Sequence, residues 1–413
     1  MTDRLVVVGA SLAGLRAVEA ARGGGYGGEI ALIGAEPHLP YDRPPLSKKT
    51  LEPGAPPEST QFRSREMLED LGVELVLGAS ATAIDTGNKT ITVRDAEIAY
   101  SAAVIATGAD ARRLPGGETP AGVHMLRTHD DALAVRAALD AGARTVVIGA
   151  GFIGSEVASA ARKRGLPVTI VEALPTPLTR SVGPALGSAL TRLHTRNGTE
   201  VICGVVVSAI EGEVGEVRRV RLEEGTALDA DLVVVGIGTV PATDWLVGSG
   251  IMVDNGIVCD EFLATTADGV YAAGDVANWR NPLFGRSMRI EHWTSAAEQG
   301  ARAALNALNP SVAQTYSTVP YFWSDWYGHR IQFVGVPSGQ EHEVVSGSLD
   351  SDHFVVLYRD GDLLSAALTL NGQRHIMKYR NLINKRATFD EALAFARARA
   401  SSSWGTPASP ESV

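Results

Sequence analysis

At 413 residues, 45% hydrophobic and 20% charged, the chain has the composition of a multi-domain water-soluble protein, and it holds no apolar run long enough to cross a bilayer. Its formal charge of −10 disfavours general nucleic-acid binding. Its two cysteines, Cys203 and Cys259, lie far apart in sequence without CxxC spacing; they cannot supply the ligands of an iron–sulfur or zinc site, nor a close redox disulfide, and both read as buried thiols.

The chain starts without the apolar core and cleavage site of a secretory signal, so a cytoplasmic location is expected. Val6–Gly14 (VVVGASLAG) predicts a strand, a glycine turn and the start of an Ala-rich helix, with a second strand at Glu29–Gly34. In Gly9-x-Ser11-x-x-Gly14, the first glycine suits a tight turn, the last lets helix and strand approach, and the helix N-terminus between them favours a pyrophosphate. Ser11 replaces the usual second glycine, which weakens the match and adds a hydroxyl donor. Glu36 stands where a ribose-binding carboxylate is expected.

A Pro-rich stretch, Glu36–Thr60, comes next, then alternating segments at Val73–Leu77 and Thr90–Val93 that predict a small β-meander, and a strand closing at Val104–Gly108 (VIATG). The strand–turn–helix pattern then repeats at Val146–Gly154 (VVIGAGFIG), with a second strand at Pro167–Val171. Gly149-x-Gly151-x-x-Gly154 is complete, and Glu172 ends the unit. A carboxylate there accepts from a ribose 2′-hydroxyl and repels a 2′-phosphate, and Ala173-Leu174-Pro175 offers no arginine, so NADH is expected over NADPH. Leu232–Pro241 closes this unit, and Val270–Gly274 reads as a return to the first domain. From about Val319 the chain gains aromatics and period-two alternation at Ile331–Val336 and Phe354–Tyr358, predicting an antiparallel sheet; Ser401–Val413 reads as a disordered tail.

Pro40–Lys48 (PYDRPPLSK), with ATG (Ala106–Gly108), LRT (Leu126–Thr128), GFIGSEVA (Gly151–Ala158), AAGDVA (Ala272–Ala277), EHWTSAAEQG (Glu291–Gly300) and FWSD (Phe322–Asp325), resembles the pyridine-nucleotide-dependent flavoproteins over essentially the whole chain. Among them it is most similar to the ferredoxin reductases of bacterial oxygenase and cytochrome P450 systems, which lack the redox disulfide. The resemblance implies an α/β, glutathione reductase-like fold. It has a discontinuous FAD-binding domain (1–112 and 245–318), an NADH-binding domain (113–244), both Rossmann-like, and a C-terminal α+β domain (319–400).

It also implies the site. Gly9, Ser11, Leu12, Ala13, Gly14, Ala35, Glu36, Arg43, Lys48, Ala81, Ala106, Thr107, Gly108, Arg127, Asp275 and Trp293 fall at FAD positions, and Gly149, Gly151, Phe152, Ile153, Gly154, Glu172 and Gly238 at NADH positions. Asp275 suits a ribitol hydroxyl and equally a helix N-cap. Lys48 and Glu156 are the expected catalytic pair beside the flavin and nicotinamide. The implied reaction passes hydride from NADH to the flavin, then single electrons to a separate 2Fe–2S ferredoxin that feeds a P450 or oxygenase. Alternatives on the same scaffold are an NADH oxidase or peroxidase and a redox-sensing flavoprotein. Trp323 and Trp326 are candidates for the path to the docking surface.

Overall fold

A computed structural model of the chain describes residues 3–54, 59–115, 120–337 and 341–401. The chain falls into two compact units, Met1–Pro177 with His194–Thr318, and Leu178–Leu193 with Val319–Val413.

The first unit contains two parallel five-stranded sheets. In one, β1 (Arg4–Val8) leads through α1 (Leu12–Gly23) to β2 (Glu29–Gly34), in the order Val270–Ala272, Ala102–Ile105, β1, β2, Val73–Leu77. All neighbours run parallel, with Val6 opposite Ala31 and Ala103. The central strands are continuous apolar runs because both faces are covered. Val73–Leu77 corrects the sequence reading: it is the parallel edge strand beside β2, and its polar alternation is that of a sheet edge rather than of a hairpin. The antiparallel meander is instead Ala81–Asp85, Thr90–Val93 and Ala96–Ala99.

The second sheet repeats the pattern with β3 (Thr145–Ile148) and β4 (Val168–Glu172), in the order Glu200–Cys203, β4, β3, Leu232–Val235, Val123–His124. It is preceded by α2 (His129–Asp140), which a capping box of Thr128 and Asp131 opens, and α3 (Phe152–Lys163) joins β3 to β4. A short antiparallel pair, Ala109–Ala111 with Thr239–Pro241, marks the crossing between the two halves of this unit. α4 (Trp293–Leu308) buries Ala296, Gly300, Ala303, Ala304 and Ala307 at helical spacing and packs on α1. A Cβ on Gly300 would stand 2.1 Å from the Ala13 carbonyl oxygen, so only glycine permits that approach.

The second unit is an antiparallel sheet ordered Tyr321–Trp326, His329–Gly335, Leu363–Leu370, Phe354–Asp360, His342–Gly347. α5 (Gln373–Asn384) packs on its central strands. Leu178–Leu193, within 113–244 by sequence, belongs to this unit, where Tyr358 donates to the Val182 carbonyl at 2.7 Å and Arg192 to that of Leu349 at 2.6 Å. Trp326 is fully buried and donates to Ser324 at 2.7 Å; Trp323 stacks on Tyr321 with Arg330 over its ring. The tail expected at Ser401–Val413 lies, apart from Ser401, outside the described residues. Among the described residues no helix is long and apolar enough to cross a membrane.

Candidate active site

The first fingerprint is a turn that only glycine can make. Gly9 has φ +121°, and a Cβ there would lie 2.0 Å from the Ala106 carbonyl oxygen; one on Gly14 would lie 1.9 Å from that of Gly9. β1, the Ala106-Thr107-Gly108 turn and α1 therefore meet around Gly9. Thr107 donates to the Ala242 carbonyl at 2.9 Å, tying this turn to the crossing segment. Ser11 precedes Leu12 at the start of α1, and its hydroxyl is a 3.3 Å acceptor for Arg43 rather than a cap for the helix.

Glu36, just past β2 and after the exposed Ala35, is held on both oxygens: Tyr41 donates at 2.6 Å and Arg43 at 2.7 Å. Arg43 also donates to the Tyr41 hydroxyl at 3.0 Å and the Arg127 carbonyl at 2.6 Å, and its guanidinium lies 5.0 Å from the Tyr41 ring centroid. Burial and the Glu36 carboxylate push the Tyr41 phenol well above its ordinary range, Arg43 opposing them, so Tyr41 is a donor at neutral pH. Arg127 pairs with Asp275 at 3.1 Å. Ala81, at the start of the meander, is partly buried against the core of the first sheet and has no polar side chain to offer.

The second fingerprint divides its glycines by role. A Cβ on Gly149 would stand 2.4 Å from the Gly236 carbonyl oxygen and one on Gly154 2.3 Å from that of Gly149, so both serve chain packing. Gly151 has nothing nearer than Gly236 at 3.8 Å, and Gly238 nothing within 4 Å. The open space beside Gly151, at the N-terminus of α3, fits a pyrophosphate approaching the backbone. Phe152 and Ile153 form the first turn of α3, and Ile153 is 42% exposed, an apolar surface that a dinucleotide would cover. Glu172 accepts from the Ala150 amide at 2.8 Å and the Leu174 amide at 2.9 Å, bracing the turn while each oxygen keeps capacity for a further donor.

On α3, just after the second fingerprint, a buried carboxylate meets a cation. Lys48 Nζ stands 2.8 Å from Glu156, whose side chain is 2% exposed, and Ser47 donates its hydroxyl to the other oxygen of the same carboxylate. Trp293 Nε1 donates to Asp42 at 2.8 Å. Burial raises the Asp42 carboxyl above its ordinary range, against the Trp293 hydrogen bond and the Lys48 charge. The structure thus joins Lys48 with Glu156, Arg43 with Glu36, and Arg127 with Asp275. Sequence reasoning missed Ser47, Asp42 and Tyr41, all three inside PYDRPPLSK, because their partners Glu156, Trp293 and Glu36 are set by the fold and not by spacing. It also missed Gln299 of α4, which accepts from the Gly274 amide at 2.8 Å while its own Nε2 is buried without a partner. That orphaned donor, beside the turn carrying Asp275, fits a polar group bound there.

The family model for pyridine nucleotide-disulphide oxidoreductases matches residues 3–300. The chain belongs to this family. Its members use FAD and a pyridine nucleotide, which agrees with the two fingerprint turns. A reductase C-terminal model matches residues 321–400 of this pyridine nucleotide-disulphide oxidoreductase. Rhodocoxin reductase of Rhodococcus erythropolis is 36% identical over 92% of this chain and 89% of its own, and putidaredoxin reductase CamA of Pseudomonas putida 34% identical over 93% and 92%. The reductase in a covalent putidaredoxin reductase–putidaredoxin complex superposes with a TM-score of 0.90 at 32% identity, covering 97% of this chain and 99% of that one.

Proposed function

We propose that this chain is an NADH-dependent, FAD-containing ferredoxin reductase that passes electrons to a 2Fe–2S ferredoxin serving a cytochrome P450 or oxygenase. The observation that carries the reading is two fingerprint turns in one unit without a redox cysteine pair. Cys203 ends a strand of the second sheet, Cys259 is buried in a separate three-stranded sheet, and both are free thiols. Burial and neighbouring carboxylates raise both thiols, so neither is a ready thiolate. No internal disulfide therefore stands between the flavin and its acceptor. The full-length likeness to rhodocoxin and putidaredoxin reductases supports a ferredoxin as that acceptor. We read the cytoplasm as its compartment.

In this reading residues 1–112 with 245–318 bind FAD, 113–244 bind NADH and 319–400 form the C-terminal domain. FAD held there would supply the chemistry of accepting a hydride from NADH and giving up electrons singly. The chain's residues position and compensate charge. Gly9, Leu12, Ala13, Gly14, Ala35 and Ala81 give the backbone contour of the FAD site, Ser11 and Arg43 present donors, and Glu36 and Asp275 present acceptors. Lys48 supplies a fixed cation where reduction adds negative charge, and Glu156 holds its ammonium in place. Trp293, oriented by Asp42, covers that end of the site and excludes water. Glu172 takes the ribose of NADH. No side chain need donate or abstract a proton from carbon.

Anaerobic mixing of the yellow protein with NADH tests this directly: the flavin band bleaches, and added 2Fe–2S ferredoxin restores it while the cluster absorbance falls. A bleached flavin that ferredoxin cannot reoxidise would overturn the assignment of the acceptor.

A further inference from the structure

Lys48 belongs by sequence to the first nucleotide-binding half, yet the turn that presents it is held by helices of the second. Leu51, three residues on, is fully buried in the core that α2 and α3 share, among Val135, Leu139, Val157 and Ala161. The backbone carbonyls around it are met by two arginines. Arg136 of α2 donates to Thr50 O at 2.8 Å and Gly54 O at 3.2 Å. Arg164, which follows α3, donates to Leu51 O at 2.6 Å. One carboxylate serves both: Asp140 lies 3.4 Å from Arg136 and 2.6 Å from Arg164. The arginine side chains are only 9% and 7% exposed. Lys163 adds an outer contact to Glu52.

A guanidinium is planar and carries five donors in a fixed fork, so two of them on successive carbonyls fix the backbone's direction and not merely its position. The carbonyls they hold belong to Thr50, Leu51 and Gly54, and the side chains of Ser47 and Lys48 reach Glu156 on α3 from the same turn. We infer that Arg136 and Arg164, bridged by Asp140, form a carbonyl clamp that positions Lys48 on Glu156, making them positioning residues for hydride transfer. The catalytic half of this inference rests on the functional reading above; the clamp itself does not.

The test uses FAD-loaded protein carrying Arg136→Met, Arg164→Met, the conservative Arg136→Lys, and each methionine variant combined with Lys48→Met. Two quantities are read: acetylation of Lys48 by mass spectrometry, relative to the exposed Lys378 of the other unit, and the single-turnover rate of flavin reduction by NADH. With the clamp cut, labelling of Lys48 rises about threefold or more and reduction slows about fivefold. Arg136→Lys recovers part of both, and the methionine variants cost nothing further once Lys48 is gone, as expected of residues acting through one another. Unchanged Lys48 labelling overturns the clamp, and rate losses that multiply in the Lys48→Met background overturn its action through Lys48. If NADH does not reduce the wild-type flavin, the functional reading and the catalytic half fall together, while the labelling still decides the clamp.

Discussion

The Glu156 carboxylate, with 2% of its side chain exposed, is tolerated because a cation and a hydroxyl meet it. Removing one partner of such a pair is far costlier than having the pair is beneficial, since a buried charge is left uncompensated. Lys48→Met is therefore expected to lower the unfolding free energy by roughly 3 kcal/mol. Glu156→Gln, which keeps the side chain's shape and an acceptor for Ser47, costs less; urea unfolding of the FAD-loaded proteins ranks them. Glu172 braces the Ala150 and Leu174 amides, and in the proposed function it also presents acceptors to the ribose of NADH. Glu172→Ala should lower kcat/KM for NADH about tenfold, the value of one charged hydrogen bond, and leave that for NADPH unchanged or higher. A variant that keeps the wild-type ratio of NADH to NADPH efficiency would remove Glu172 from cofactor choice.

At the scale of elements, the close crossing of α1 and α4 depends on a missing side chain. Gly300→Ala puts a Cβ 2.1 Å from the Ala13 carbonyl, and backbone cannot yield as a flexible side chain does. The variant should lose about 2 kcal/mol or more of stability and purify with less FAD, since α1 carries the first fingerprint; the ratio of flavin to protein absorbance reads this. The strand–turn–helix units were legible because glycine spacing and apolar runs are local signals: β2 is where the sequence places it, and β4 is one residue off. Val73–Leu77 was misread because an edge strand and a hairpin strand share the same alternation, and only the partner strand distinguishes them. The Trp293–Asp42 bond joins positions 251 apart, and the clamp arginines, one within α2 and one just after α3, are ordinary-looking residues for those places. Neither leaves a periodic trace, so composition and spacing are silent about both. The Lys48–Glu156 pairing was accessible only through family resemblance.

For the molecule as a whole, acid should weaken the fold through a histidine that cannot take up a proton in place. His194 is fully buried, 3.1 Å from the Ser155 hydroxyl, and burial pushes its pKa down to about 4. Above pH 6.5 it is neutral folded or unfolded and has no effect. As pH falls from 6.5 to about 4 the unfolded chain binds a proton that the folded chain refuses, so stability drops, by roughly 3 kcal/mol at the lower limit. Asp42 works the other way, because its raised carboxyl takes up a proton more readily in the folded state. Unfolding midpoints between pH 7 and 4 should therefore fall less steeply in His194→Gln than in the wild type. The charge of −10 leaves acceptor docking to local patches and not to the net field. Whether electrons leave for a partner protein at all is decided by steady-state NADH oxidation in air, with and without a 2Fe–2S ferredoxin. A ferredoxin reductase oxidises NADH slowly alone and about tenfold or more faster once ferredoxin is added, with NADPH a poor substitute. Oxidation equally fast without ferredoxin would make oxygen the acceptor and contradict the assignment.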